Sequence, residues 1–278
     1  MDLLDHDVAS ISTFLSSERL ATFHAITGST QEAILLHQQM LQFGTTLMSV
    51  TAVIEIAIRN SICDRITSMF GGGGWLRTPP PPFTWDDAEK SKIGQAESSA
   101  RKAAYAKLTH TQKKALDALA YPHGVPAGVT HEQLSKARQK TIVIADGQLI
   151  AQLTMAFWKR LFSPEYEHAV WNRSLKHIFP DKQLRRAHIA VQFEEIYQAR
   201  NRIAHHEPIY DKRLKRVMDA VDFVVQKFGN ADATGKTPLA KLLADDLLIL
   251  AKEASQLEAK INSFRVATNG RQAGGASS

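Results

Sequence analysis

The stretch STQEAILLHQQMLQFGTTLMSVTAVIEIAIRNSICDRITSMF, residues 29–70, runs straight into four glycines, Gly71 to Gly74. Ser29 and Glu32 stand at capping-box spacing, a helix start, and the glycines are a helix stop. Between them nothing breaks the pattern, so the spacing predicts one long helix from Ser29 to about Phe70. Outward from it the punctuation stays helical. Ile11 to Ile26 reads as an amphipathic helix burying Ile11, Phe14, Leu15, Leu20 and Phe23. After the loop to Phe83, stiffened by Pro79 to Pro82, Thr84-Trp85-Asp86-Asp87 restarts a helix toward Leu108. Thr111 to Ala120 is a shorter helix, and Thr130 to Gln133 caps one toward Lys140. Thr141 to Ile144 is the only strand-like run, and it is read as helical or irregular. Gly147 to Phe162 is a buried helix with Phe157 and Trp158 as core. Pro180-Asp181 opens a helix to His205, ended by Pro208. Lys212 to Phe228 and Pro238 to Phe264 complete the set. The expected fold is all-α, a bundle of long antiparallel helices forming one domain over residues 1–264, with a flexible Gly/Pro loop at about 71–83 and a disordered tail at 265–278.

Composition bounds the function. The chain has 278 residues, 34 Lys+Arg against 28 Asp+Glu, a net charge of +6 and one cysteine. Roughly 100–200 residues per domain allows one large domain or two small ones. A lone Cys63 excludes a disulfide framework and a cysteine-based zinc site. Asp2, Asp5 and Asp7 surround the first apolar residues, unlike a secretory leader. The apolar run Leu47 to Ile58 is shorter than the ~20 residues a membrane helix requires. The expectation is a soluble, cytoplasmic protein without membrane contact, and the excess of cations favours a polyanionic partner.

Two helices carry charge where a core face is expected. Ile189, Phe193, Ile196 and Ile203 form one stripe, and Arg200 falls inside it. A guanidinium there is either paired or turned to a functional cleft. In the long helix Glu55 is the only ionisable residue from Leu47 to Ile58, with Arg59 at i+4. Glu55 pairs with Arg59 or with Arg200, or the three form a site. The helix of Arg200 ends Arg200-Asn201-Arg202-Ile203-Ala204-His205-His206-Glu207-Pro208. Asn201 and His205 share one face at i and i+4, as do Arg202 and His206. Histidine exchanges protons near neutral pH, which suits catalysis. It also suits a helix's last turn, where cations meet the negative end of the dipole, and both readings stand. Zinc is disfavoured, since adjacent His205 and His206 point ~100° apart and no His-Glu-x-x-His motif exists. No cofactor or metal is expected.

This constellation resembles the Abi-like (abortive infection) branch of the HEPN superfamily. Its signature is an arginine, a polar residue, a short spacer and a histidine, met here by Arg200-Asn201 and His205. Ile11 to Phe23, the Glu55/Arg59-Asn60 segment, Leu153 to Phe162 and Phe179-Pro180 extend the resemblance over most of the chain. The resemblance implies an α-helical homodimer acting as a metal-independent endoribonuclease, often a toxin or antiphage effector held by an antitoxin or defence-operon partner. It also covers non-catalytic modules that bind RNA or protein. On the enzymatic reading His205 is the general acid or base, Arg200 stabilises the phosphorane, and Asn201 orients His205 or the phosphate. Glu55 positions Arg200 or Arg59, and Arg59 is a second phosphate contact. Asn60, Arg202, His206 and Tyr210 are candidate substrate contacts. Arg185-Arg186, Lys212-Arg213 and Lys215-Arg216 are solvated faces or an RNA-tracking rim.

Overall fold

The computed structural model describes residues 3–274. Among them there are thirteen α-helices and no strand. They are α1 (Asp5–Leu15), α2 (Ser17–Thr27), α3 (Thr30–Phe70), α4 (Asp87–Ala106), α5 (His110–Ala115), α6 (Asp117–Ala120) and α7 (His131–Lys140). The series continues with α8 (Asp146–Ile150), α9 (Met155–Arg160), α10 (Arg186–Ala204), α11 (Asp211–Lys227), α12 (Pro238–Leu242) and α13 (Ala244–Gly274). The all-α class holds. Where one domain was expected, the chain divides into two compact units, one of residues 1–57 with 179–278 and one of residues 58–178.

In the first unit, α10 and α11 are joined by six residues and pack on each other, and α2 packs on α13. Apolar residues meet at helical spacing: Leu36, Phe43, Leu47, Val50 and Ile54 of α3, and Ile189, Phe193 and Ile196 of α10, are all essentially without solvent contact. α11 adds Leu214, Val217, Val221 and Val224 at the same period. Each such side chain contributes about 1.5–3 kcal/mol through burial. Gly44 lets α3 approach α10 closely, since a Cβ there would come 3.4 Å from Ile203 Cγ2.

α3 also qualifies the membrane expectation. Taken over its whole length it is long and apolar enough to cross a bilayer, which the run from Leu47 to Ile58 alone is not. Its apolar face is instead used in protein core, with Ala33, Leu36, Leu47, Val50 and Ile54 fully buried.

The second unit is built around aromatic rings. Phe83 meets Trp85 edge-on at 4.6 Å between centroids, and Trp85 meets Phe157 at 5.2 Å. Phe157 and Trp158 are core, as the sequence suggests. The Gly/Pro segment, expected to be flexible, is anchored: Trp75, Leu76 and Phe83 are buried, Gly74 N donates to Asp146 Oδ2 at 3.0 Å, and Arg77 pairs with Asp146 and Glu97.

Element boundaries differ in several places: the helix expected from Thr111 to Ala120 divides at Leu116 into α5 and α6, and the last helix divides at Leu243 into α12 and α13. The expected helix from Ile11 to Ile26 breaks at Ser16, whose φ of 66° is left-handed and whose hydroxyl accepts from Arg19 N to start α2. Ser16 thus ends one helix and caps the next, and Phe14, expected in the core, is 82% exposed. The buried segment from Gly147 splits into α8 and α9, with Trp158 Nε1 bonded to the Leu153 carbonyl at the break. Asp181 caps a turn, accepting from Gln183 N and Lys227 Nζ at 3.0 Å each, and α10 starts only at Arg186. The backbone of α13 continues to Gly274, where a disordered tail was expected from residue 265; residues 275–278 of that tail lie outside the described residues.

Candidate active site at the end of α10

α10 delivers its functional groups in its last turn. Ile196 faces the core, so Arg200, one turn on, emerges at the rim of the buried stripe and is half-buried. Its Nη1 lies 3.5 Å from Asn201 Oδ1, and among the described residues it pairs with no carboxylate. The alternative in which Glu55 locks Arg200 or Arg59 in an ion pair is not the arrangement found. Glu55 is half-buried on α3 without a salt bridge among the described residues. A guanidinium left uncommitted in this way keeps its fork of donors for an anion.

His205 follows as the residue that ends the helix (φ −96°, ψ 9°), with its amide bonded to the Asn201 and Arg202 carbonyls. Its imidazole is exposed. The link between Asn201 and His205 is therefore through the backbone, at 3.1 Å, and among the described residues no side-chain bond orients the ring. His206 then takes a left-handed φ of 55°, costly for a non-glycine residue, and the turn around it is pinned from several sides. Arg19 of α2 donates from Nη1 to the His206 carbonyl at 2.9 Å. Glu207 N donates to Arg202 O at 2.8 Å, and the Arg202 guanidinium pairs with the Glu207 carboxylate at 3.0 Å. Arg202 is thus partly engaged in holding the turn, and His206 is exposed beside it.

Two cavities flank this turn. A polar one of about 290 Å³ lies between α10 and α11, where Arg202, Arg213 and Arg216 converge with Glu195 and Gln198. Arg216 is 3.6 Å from Glu195, and Arg213 is exposed without an ion pair among the described residues. The other, about 440 Å³, is apolar and includes Ile203, Ala204, His206 and Glu207 in its lining. Tyr210 lines neither. It is half-buried at the start of α11, near Arg265, whose guanidinium pairs with Asp211 at 2.6 Å.

Arg59 and Asn60 belong to the second unit, where Arg59 Nε donates to Asn60 Oδ1 at 3.3 Å. Nearby in sequence, burial pushes the Cys63 thiol up to about 11, away from thiolate character. Among the described residues no group of three or more His, Cys, Asp or Glu could hold a metal ion.

Three features escape sequence reasoning. Arg19 clamps a turn nearly two hundred residues away, with only a serine-capped helix start to mark it. His37 lines the apolar cavity, and in the sequence nothing sets it apart from its polar neighbours Gln38 and Gln39. In the second unit, Tyr166 Oη bonds both Asp86 Oδ1 (2.7 Å) and Glu89 Oε2 (2.9 Å), while Arg160 reaches Glu89, Asp86 and Glu165. Glu89 is 1% exposed. Burial raises its carboxyl above the usual range, whereas hydrogen bonds from Glu89 and Tyr166 hold Asp86 at about 2.

The comparisons with known proteins add no assignment: no protein family, no curated protein and no solved structure matches this chain.

Proposed function

We propose that this protein is a metal-independent endoribonuclease of the HEPN type. The carrying observation is Arg200, a guanidinium that pairs with no carboxylate among the described residues, five residues before the exposed His205 at the same helix end. RNA supplies its own nucleophile. His205 takes the proton of a 2′-OH as that oxygen attacks the adjacent phosphorus. Arg200 neutralises the charge gathering on the non-bridging oxygens of the phosphorane. The bond from phosphorus to the 5′-oxygen breaks, and that oxygen takes up a proton. The products are a 2′,3′-cyclic phosphate and a 5′-OH end. In a homodimer the partner's own copy of this histidine, in its protonated form, supplies that proton.

The arginines between α10 and α11 support the substrate class. Arg202 is paired with Glu207 and Arg216 lies near Glu195, so Arg213 leaves net positive charge in a cavity beside the reactive turn, suited to a backbone phosphate. The role in antiphage defence, as a toxin restrained by a partner, rests on the sequence resemblance alone. Arg59 and Asn60 keep their proposed roles on that same basis, and the site argued here is built from the first unit.

Purified protein in EDTA is expected to cut cellular RNA and leave cyclic phosphate ends, mapped by end-specific ligation. Cleavage that requires added divalent metal, or that leaves 3′-OH ends, rules the mechanism out. The dimer is checked by light scattering in dilute buffer, with a mass of about twice 30.8 kDa expected; a stable monomer removes the shared proton donor.

Binding has its own prediction. In a cleavage-dead background, changing Arg213 and Arg216 to alanine is expected to weaken single-stranded RNA binding across all sequences. The slope of log affinity against log salt should fall by about 0.7 for each lost phosphate contact. An unchanged slope would place the RNA strand elsewhere.

A further inference from the structure

The apolar cavity of about 440 Å³ beside the α10 turn lies within the size range of small-molecule sites. Phe23, Met40, Phe43, Met48, Ile203 and Ile209 supply its apolar walls. Two methionines give such a wall a surface that adapts to an irregular guest. Thr45, His206 and Glu207 are exposed polar residues of the lining, and His37 is its one buried polar side chain. It is 3% exposed, and among the described residues neither of its ring nitrogens has a hydrogen-bond partner. The ring lies edge-on against Phe23, 5.1 Å between centroids.

Buried polar groups in folded proteins are nearly always bonded. An imidazole with both nitrogens free in the lining of a cavity therefore marks the place of a ligand group. Burial lowers the pKa of this imidazole and so favours its neutral form, and the neighbouring Arg19 acts in the same direction. A neutral ring offers one N–H donor and one bare nitrogen acceptor. A hydroxyl, which both donates and accepts, complements either nitrogen. A carboxylate only accepts, and it would carry its charge into apolar surroundings at a heavy desolvation cost.

We propose that this cavity binds an uncharged, largely apolar small molecule through one hydroxyl-type group that hydrogen-bonds His37. Four lining residues, Ile203, Ala204, His206 and Glu207, bracket His205, so the bound ligand stiffens that turn. That the turn acts on RNA rests on the function proposed above; the binding site itself does not.

The test is calorimetric titration of the full chain with 2-naphthol, naphthalene and 2-naphthoate, together with amide exchange over residues 203–207. Saturable 1:1 binding of 2-naphthol is expected, at least tenfold tighter than either relative, with slowed exchange in that turn. His37→Phe keeps the ring packing and is expected to bring 2-naphthol down to the affinity of naphthalene, leaving naphthalene itself unchanged. Thr45→Phe, at the exposed mouth, should weaken all three, and serves if the core variant does not melt cooperatively. Equal affinity for 2-naphthol and naphthalene overturns the proposal, as does 2-naphthol binding untouched by His37→Phe. Tighter binding of 2-naphthoate overturns it in favour of an anionic ligand. No saturable binding of any probe, or binding lost as protein concentration rises and the mass doubles, overturns it too; the latter assigns the cavity to a second copy. None of these readouts depends on RNA cleavage, so failure of the nuclease reading leaves them standing.

Discussion

His205→Ala is expected to reduce RNA cleavage in EDTA by about 10²–10⁴-fold, the range that one positioned proton-transfer group supplies. The exposed imidazole makes no side-chain bond among the described residues that its removal would break, so the melting temperature should stay near that of wild type. His188→Ala, on the same helix and also exposed, is the matched control and should cut normally. Arg200→Ala should lose about 10²–10³-fold, the scale found for removing one donor to a developing oxyanion. Arg200→Lys should recover only part of that, because an ammonium lacks the planar fork of a guanidinium. The loss must appear in turnover more than in RNA binding, since the charge that Arg200 meets is fully developed only in the phosphorane. If both histidine variants cut like wild type, the reactive group is elsewhere. If no form cuts while RNA still binds with strong salt dependence, the chain is a binding module that keeps the signature without its chemistry.

Which parts of this molecule were legible in the sequence follows from the range of the interactions involved. α3 was legible because its start, its stop and its apolar spacing are all local, and the structure keeps it from Thr30 to Phe70. The capping boxes at Thr109 and Thr130 form through contacts three residues apart, and the spacing from Thr130 to Gln133 predicts the second. At Ser16 the apolar stripe changes phase: Leu20 lies five residues from Leu15, about 140° around a helix, so Ile11, Phe14 and Leu15 do not share a face with Leu20 and Phe23. One straight helix over residues 11–26 cannot bury all five, and the turn at Ser16 leaves Phe14 exposed. The helix expected from Asp181 begins only at Arg186, because Asp181 has a second partner, Lys227, 46 residues away, that holds it in a turn.

The candidate site divides along the same line. Arg200, Asn201 and His205 lie within six residues, so their placement on one helix end was predictable from helix geometry alone. The state of Arg200 was not, because an ion pair with Glu55 depends on how α3 and α10 are packed rather than on either sequence. His37 shows the converse. In sequence it is one of three successive polar residues, His37-Gln38-Gln39, and only burial in the cavity lining distinguishes it from a solvated side chain. The arginine cavity likewise needs α11 folded back on α10 before Arg202 meets Arg213 and Arg216.

The largest expected effect on stability lies in the second unit, at Arg160. Its guanidinium is 3.4 Å from Glu89, an acid almost wholly buried, and it also reaches Asp86 and Glu165. Arg160→Met removes the charge and keeps much of the aliphatic packing. It leaves Glu89 buried with the Tyr166 hydroxyl as its hydrogen-bond donor and Lys92, 3.9 Å away, as its remaining cation. Stripping one partner from a buried pair costs about 3–5 kcal/mol, and the lower end applies here because Arg160 is one-third exposed. The pH dependence identifies the source. Asp86 and Glu165 are held below their ordinary values, so what they contribute is present above about pH 4 and lost as the pH falls further. Their share of the deficit is therefore complete by about pH 5. Glu89 is raised above 4.5 by burial, and Arg160 opposes that rise. Removing Arg160 lifts the folded-state value further, so the variant loses additional stability as pH climbs from 5 toward 8 and Glu89 is forced to ionise. Urea denaturation at pH 5, 7 and 8 should show the gap between variant and wild type widening with pH. Adding Glu89→Gln to Arg160→Met should close most of that widening, because the amide cannot ionise and its oxygen still accepts from Tyr166. A gap that does not widen as the pH rises would mean that Arg160 does not govern the ionisation of Glu89 and serves only its two exposed partners.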